Sequence, residues 1–210
     1  MHLKSQSRVT SRRQALEAGW SQKAIEWRLR SGSWHRLQLG SYAAFTGDTS
    51  RSAKLWAAVL RAGQGAVLSH ETAAEVHGFA KEPGRKIHIS VPAERNPARC
   101  GPIPGVVVHR ARKLVPEWQP PTELPRTTVE HTVLDLIASA DSFDDAYGWL
   151  ASALGKRLTS PEAMREALAT RSRIRWRTWI TQALEDCDGG VSSALERRYV
   201  KDVEHAHGLP

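Results

Sequence analysis

Any catalytic or metal-binding site in this 210-residue chain would have to be built from its nine histidines, two cysteines and twenty-two carboxylates, and their spacing assembles none. His70-Glu71 opens like the zinc-binding His-Glu-x-x-His helix, but Ala74 stands where the second histidine must be to share a ligand face one helical turn on. His88 and His109 fall in alternating stretches able to pair as strands, and each reads there as polar strand surface. His205 and His207 have no cysteine or carboxylate pattern to complete a metal shell. Cys100 and Cys187 are isolated, too few for a metal knuckle or a disulfide framework, and both are expected as reduced thiols. Asp144-Asp145 suits the first turn of a helix, where the dipole favours negative charge. There is no phosphate-binding loop, no Gly-x-Ser-x-Gly elbow and no dinucleotide fingerprint. The expectation is a protein that is not an enzyme and holds no cofactor and no metal.

The chemistry that remains is charge. The chain carries a net +8, unevenly placed. Residues 1–115 hold 19 Lys/Arg against 7 Asp/Glu, whereas residues 116–210 hold 11 against 15. A basic half is what a polyanion would select. On charge alone, a merely solvated basic surface fits equally well. The motifs must decide.

They lie in the first fifty residues. Ser11-Arg12-Arg13-Gln14 has the capping-box spacing, and Gly19 can end the short helix it opens. Ser21 caps a second helix running to Arg30, and Gly32 closes it. Two short helices about a glycine-containing turn form the helix-turn-helix pattern. At 100° per residue, Ile25 and Leu29 share one stripe of the second helix, and Gln22, Lys23, Glu26, Trp27 and Arg30 take the opposite arc. Anchored by Ile25 and Leu29, that helix would offer Gln22 and Lys23 to base edges and Arg30 to a phosphate or a guanine. Next, Leu37 and Leu39 alternate with polar neighbours ahead of Gly40, and Tyr42-Ala43-Ala44-Phe45 follows, so a hairpin is expected. A hairpin behind a recognition helix is a wing, from which His35 and Arg36 would reach the backbone together with Arg12 and Arg13.

The elements behind this surface are read from caps and periodicity. Helices are expected over 51–62, with Leu55, Trp56, Val59 and Leu60 on one face, and from a Ser69 cap to Gly78. Lys86–Val91 and Gly105–Arg110 alternate as strands about a proline-rich loop. Helices then follow from caps at Thr127 or Thr128, at Asp141 or Ser142, and at Ser160 before Pro161. Another runs through Trp176 to Cys187, and a last one spans roughly 191–206. The run Arg171–Arg177 carries four arginines and Trp176, a set that can grip phosphates. In an acidic half it reads better as a helix start whose arginine stems cover apolar surface. The fold class is α+β and mostly helical: a winged helix-turn-helix over 1–48, an α/β middle domain over 49–155, and a helical region over 156–210. No apolar run reaches membrane-span length and the N-terminus lacks the apolar core of a signal peptide, so a cytoplasmic protein is expected, its oligomeric state unspecified.

These residues also resemble a known family. Thr10–Gly19, Ile25–Trp34 and Leu39–Ala43 are similar to the N-terminal domain of AbiEi-family antitoxins, winged-helix repressors of type IV toxin–antitoxin systems. Ala66–Ala74, His77-Gly78-Phe79, Ile87–Pro92 and Leu124–Leu136 resemble the domain that follows it, so the likeness spans roughly residues 8–155. It implies promoter binding on double-stranded DNA, repression of an operon, and neutralisation of a nucleotidyltransferase-like toxin without required contact. The tail, Val191–Tyr199 and His205–Pro210, resembles the opening of a very-short-patch-repair-like endonuclease of the PD-(D/E)XK type, with Glu196 at that fold's first metal-holding glutamate. The sequence stops at Pro210, before any strand with the Asp and Glu-x-Lys that metal-assisted hydrolysis needs. Two other readings stand beside the repressor: the DNA-recognition portion of such an endonuclease lacking its catalytic core, and a protein-interaction module.

Overall fold

Ser11 ends a strand and begins a helix, and the N-terminal part of the fold turns on it. In the computed structural model, which describes residues 6–94, 101–112, 114–117, 120 and 123–187, strand β1 is Val9–Ser11 and helix α1 is Arg12–Glu17. The Ser11 hydroxyl accepts from the Gln14 amide while the Gln14 side chain accepts from the Ser11 amide, so the capping box forms as its spacing predicts. Gly19 takes a left-handed φ of +87° at the turn, where a side chain would be strained. Ser21 then caps α2, Gln22–Arg30.

Strands β2 (His35–Gln38) and β3 (Ser41–Ala43) form the expected hairpin, with Gly40 at φ +76° in its tip. A register shift between Arg36 and Gln38 leaves Leu37 without a cross-strand partner and turns it to the apolar layer beneath. β1 pairs antiparallel with the other edge of β3, giving a three-stranded sheet in the order β1-β3-β2. Three residues are too short to show a period of two, which is why β1 is not visible in the sequence. Helix α3, Arg51–Ala62, has the bounds its periodicity predicts. Its Ala53, Trp56 and Ala57 pack with Val9 and the partly buried Leu37 and Phe45, so the helix that completes this winged unit comes after the wing.

The second sheet joins β4 (Val67–Leu68), β5 (Ile87–Pro92) and β6 (Val106–Ala111), in the order β4-β5-β6. β4 runs antiparallel to β5, whereas β5 and β6 are parallel, with His88 opposite Val107 and Ser90 opposite His109. Ile87, Ile89 and Val91 are buried, and alternation sends His88 to the other face of the sheet. Helix α4, His70–His77, follows β4, and the buried Thr72 hydroxyl accepts from the His88 amide.

Helices α5 (Val129–Ser139), α6 (Phe143–Gly155), α7 (Pro161–Ala169) and α8 (Arg177–Asp186) make the rest. Thr128, Ser142 and Ser160 cap the first three, and Pro161 takes the first turn, where its missing N–H costs nothing. Val133, Leu134, Ile137, Leu150, Met164, Ile180 and Leu184 bury fully into one core with Phe79. Three of the four arginines in the run after α7 bond within the protein itself. Arg171 pairs with Asp135 at 2.7 Å, Arg175 donates to the Ala140 carbonyl, and Arg177 donates to the carbonyls of Leu168 and Arg171.

By contacts the chain divides into two compact units. One holds the described residues through Thr72 together with Gly84–Thr127; the other holds Ala73–Pro83 and those from Thr128 on. The cuts drawn from sequence after residues 48 and 155 fall inside these units. The expected helix over 191–206, with Glu196, lies outside the described residues. No described helix is long and apolar enough to cross a membrane.

Candidate nucleic-acid interface

The helix-turn-helix is held from beneath by an aromatic wedge. Ala15, Ile25, Trp34 and Tyr42 are buried together, with Trp20 and Leu29 packed on them. Trp34 stacks on Tyr42 at 6.2 Å between ring centres and meets Trp20 at 5.5 Å. The guanidinium of Arg28 lies 4.3 Å above the Trp20 ring and 5.7 Å from Trp34. That geometry is a cation–π contact, and it keeps the Arg28 charge against the ring faces. Sequence reasoning gave Arg28 no role; the signal was its place between two tryptophans that the hairpin brings together.

With Ile25 1% exposed and Leu29 packed on the same cluster, the opposite side of α2 is free. Gln22, Lys23, Glu26, Trp27 and Arg30 are all exposed, Trp27 at 60%. An indole this open is unusual for a side chain whose burial is worth several kilocalories elsewhere. The polar members are ordered among themselves. The Arg12 guanidinium donates to the Gln22 carbonyl oxygen at 2.6 and 3.1 Å, and the Gln22 amide donates to Glu26 at 2.6 Å. Through this chain the N-terminus of α1 sets the side-chain geometry at the N-terminus of α2.

The wing reaches the same place. The Arg12 amide donates to the Gly40 carbonyl at 2.8 Å, so the hairpin tip, the start of α1 and, through the Arg12 side chain, the start of α2 converge on one residue. Leu39 at the tip is 62% exposed. Arg13 is exposed and makes an i,i+4 pair with Glu17 at 3.6 Å; with both side chains about two-thirds in solvent, such a pair is weak and easily exchanged. Arg36 is exposed on β2. His35 is half-buried beside this surface. Its Nδ1 is 3.0 Å from the Phe45 carbonyl and its Nε2 3.4 Å from the Thr49 hydroxyl, while its ring meets Phe45 edge-on, so it fastens the chain leaving the wing.

A second cluster brings together residues that the sequence keeps apart. His70 at the start of α4, His88 on β5 and His109 on β6 place one ring nitrogen each within 4.8 Å of the others. Burial pushes the His88 imidazole below its ordinary pKa; nearby Glu71 opposes this and Lys86 adds to it. Burial also lowers His109, with His88 acting in the same direction. Read as isolated polar positions on strands, His88 and His109 gave no sign of this. The missing information was the parallel register, which sets His109 one diagonal step from His88 on the same face.

These features define an α+β protein with a winged helix-turn-helix at its N-terminus. The fold is similar to the crystal structure of the RV2827C protein from Mycobacterium tuberculosis, with a TM-score of 0.54 and 19% sequence identity over 89% of this chain and 74% of that one. The sequence matches no curated protein. The family model for the AbiEi antitoxin C-terminal domain matches residues 64–186, more than half of the chain. The chain belongs to the AbiEi antitoxin family. The match runs past residue 155, where the likeness read from the sequence stops, and takes in α7 and α8.

Proposed function

We propose that this protein is a DNA-binding transcriptional repressor of the type IV antitoxin kind, which represses its own operon and so limits a nucleotidyltransferase-like toxin. It does this without catalysis of its own. The observation that carries the reading is the exposed side of α2: five polar or aromatic residues stand in solvent around the buried Ile25, next to a wing whose tip is tied to Arg12. A helix of this size fits the major groove, and its N-terminal residues are the ones that reach base edges.

In the free protein, both polar ends of Gln22 are occupied, its carbonyl by Arg12 and its amide by Glu26. Bidentate reading of an adenine needs both, so docking exchanges these partners: Arg12 passes to a phosphate, and Glu26 is left to accept from a cytosine amino group. Lys23 and Arg30 supply charge at the two ends of the helix, and Arg13 and Arg36 add backbone contacts from α1 and β2. Trp27 offers an apolar face to a thymine methyl or a sugar. His35 serves this surface by holding the base of the wing.

The test is binding to the DNA upstream of the protein's own gene, measured by mobility shift and by anisotropy at several salt concentrations. The affinity is expected to fall steeply as salt rises, and the Lys23→Ala/Arg30→Ala double variant to abolish the shift while keeping the wild-type melting temperature. A double variant that binds as tightly as wild type overturns the assigned face. Binding insensitive to salt overturns the choice of DNA over a protein partner.

A further inference from the structure

The residues that the proposed DNA surface leaves unused include one group with the composition and close spacing of a metal centre. We propose that His70, His88 and His109 form a binding site for a divalent first-row transition ion of the zinc type.

Three side chains from three different elements converge there. His88 Nδ1 and His109 Nε2 face each other at 3.0 Å, and the His70 and His109 rings lie nearly parallel with centres 3.8 Å apart. Tetrahedral coordination with Zn–N bonds of about 2.0–2.1 Å places ligand nitrogens roughly 3.4 Å from one another. The 3.0 Å pair needs a few tenths of an ångström of widening. The farthest pair, within 4.8 Å, needs about 1.4 Å of approach at most, and the stacked His70 and His109 rings must turn out of parallel for their in-plane lone pairs to meet at one ion. Without an ion, a single hydrogen lies between His88 Nδ1 and His109 Nε2; with one, both lone pairs turn to the metal.

Polar groups lie beside the cluster where the outer partners of metal-bound imidazoles sit. A metal-bound histidine commonly hands its other ring N–H to a carboxylate, carbonyl or hydroxyl, which fixes the tautomer. His88 has its other nitrogen, Nε2, 4.0 Å from a Glu71 carboxylate oxygen. His70 has Nδ1 3.0 Å from the Ser69 hydroxyl. His70 itself stands at φ +51°, a left-handed conformation costly for a residue with a side chain. The set is all imidazole, with neither a cysteine thiolate nor a directly ligating carboxylate, which selects zinc and its neighbours over magnesium or calcium. Three protein ligands leave a fourth position for water or a small donor. Among the described residues this is the only His/Cys/Asp/Glu group with such spacing.

The experiment uses the full chain, freed of any affinity tag, stripped with a chelator and titrated with Zn²⁺ against a chromophoric competitor; Co²⁺ is added in parallel for its visible spectrum. One tight equivalent per chain and a Co²⁺ spectrum of a nitrogen-rich, four- or five-coordinate site are expected. His88→Asn and His109→Asn are expected to lose that equivalent, while His77→Asn keeps it. Glu71→Gln, which alters only the positioning partner, is expected to bind about 10- to 100-fold more weakly. Wild-type protein that takes up no tight equivalent overturns the proposal, whether or not the variants fold. So does an equivalent that survives both His88→Asn and His109→Asn.

Discussion

The guanidinium of Arg28 sits 4.3 Å over the indole of Trp20, on the inner side of the same helix whose outer side presents Trp27 to solvent. This helix therefore turns one of its two arginines inward onto a ring face and its tryptophan outward. The inward pair concerns stability. Arg28→Ala is expected to lower the stability of the folded chain by about 1 kcal/mol, in the range for a partly desolvated cation–π contact. Arg28→Lys is expected to recover only part of it, because the ammonium cannot lie flat on the ring. Urea unfolding followed by tryptophan fluorescence measures both.

The outward indole behaves in the opposite way. Trp27→Ala is expected to leave stability within about 0.5 kcal/mol of wild type, as for other open surface positions. Ile25→Ala, two residues away and buried, is expected to cost about 2–4 kcal/mol. Weaker DNA binding by the first variant at unchanged melting temperature separates recognition from folding. A Trp27→Ala protein that unfolds early contradicts the exposed position.

Arg36 belongs with the backbone contacts. Arg36→Ala is expected to weaken binding alike on operator and unrelated DNA, and to lower the slope of log affinity against log salt by about 1. Lys23→Ala is expected to reduce the preference for operator as well. Anisotropy titrations on the two DNA sequences, repeated across salt, distinguish the effects.

Asp135 gives a pH dependence with a defined sign. Burial raises its pKa, and the charge and hydrogen bond of Arg171 offset this only in part. In the window above the ordinary carboxylate range and below the raised value, the folded chain binds more protons at this site than the unfolded one. The contribution of Asp135 is thus fully present below the ordinary range and falls as pH rises through that window. Asp135→Asn is expected to flatten this part of the stability profile, read from urea midpoints between acid and neutral pH. Arg171→Ala, which strands the carboxylate, is expected to destabilise by up to about 3 kcal/mol at neutral pH.

Much of the fold is legible because the caps are local. Ser11, Ser21, Thr128, Ser142 and Ser160 each accept from a nearby amide, and each declares its helix without help from the rest of the chain. The free face of α2 was legible for a similar reason, since Ile25 and Leu29 lie one turn apart. What the sequence hid was pairing at a distance. β1 gains its identity only from β3, and the His35 ring takes its contacts from Phe45 and Thr49, ten and fourteen positions further on. The three histidines are separated by 17 and 20 intervening residues, and only the parallel alignment of β5 with β6 brings them to one face. In the arginine run, Arg171, Arg175 and Arg177 bond to Asp135, Ala140 and Leu168, partners that charge balance alone does not identify.

The interleaving of the two units along the chain limits how this gene can be cut and rejoined. Ala73–Pro83 interrupts one unit and is assigned to the other, where Ala74 and Phe79 are part of the helical core. A crossover after residue 127 would strand those two apolar side chains on the wrong fragment. Swapping the winged half between relatives as a single stretch would carry a strip of the other half with it. Recombination must therefore take both units together or replace the strip in matched pairs, and the two halves are expected to diversify as one piece.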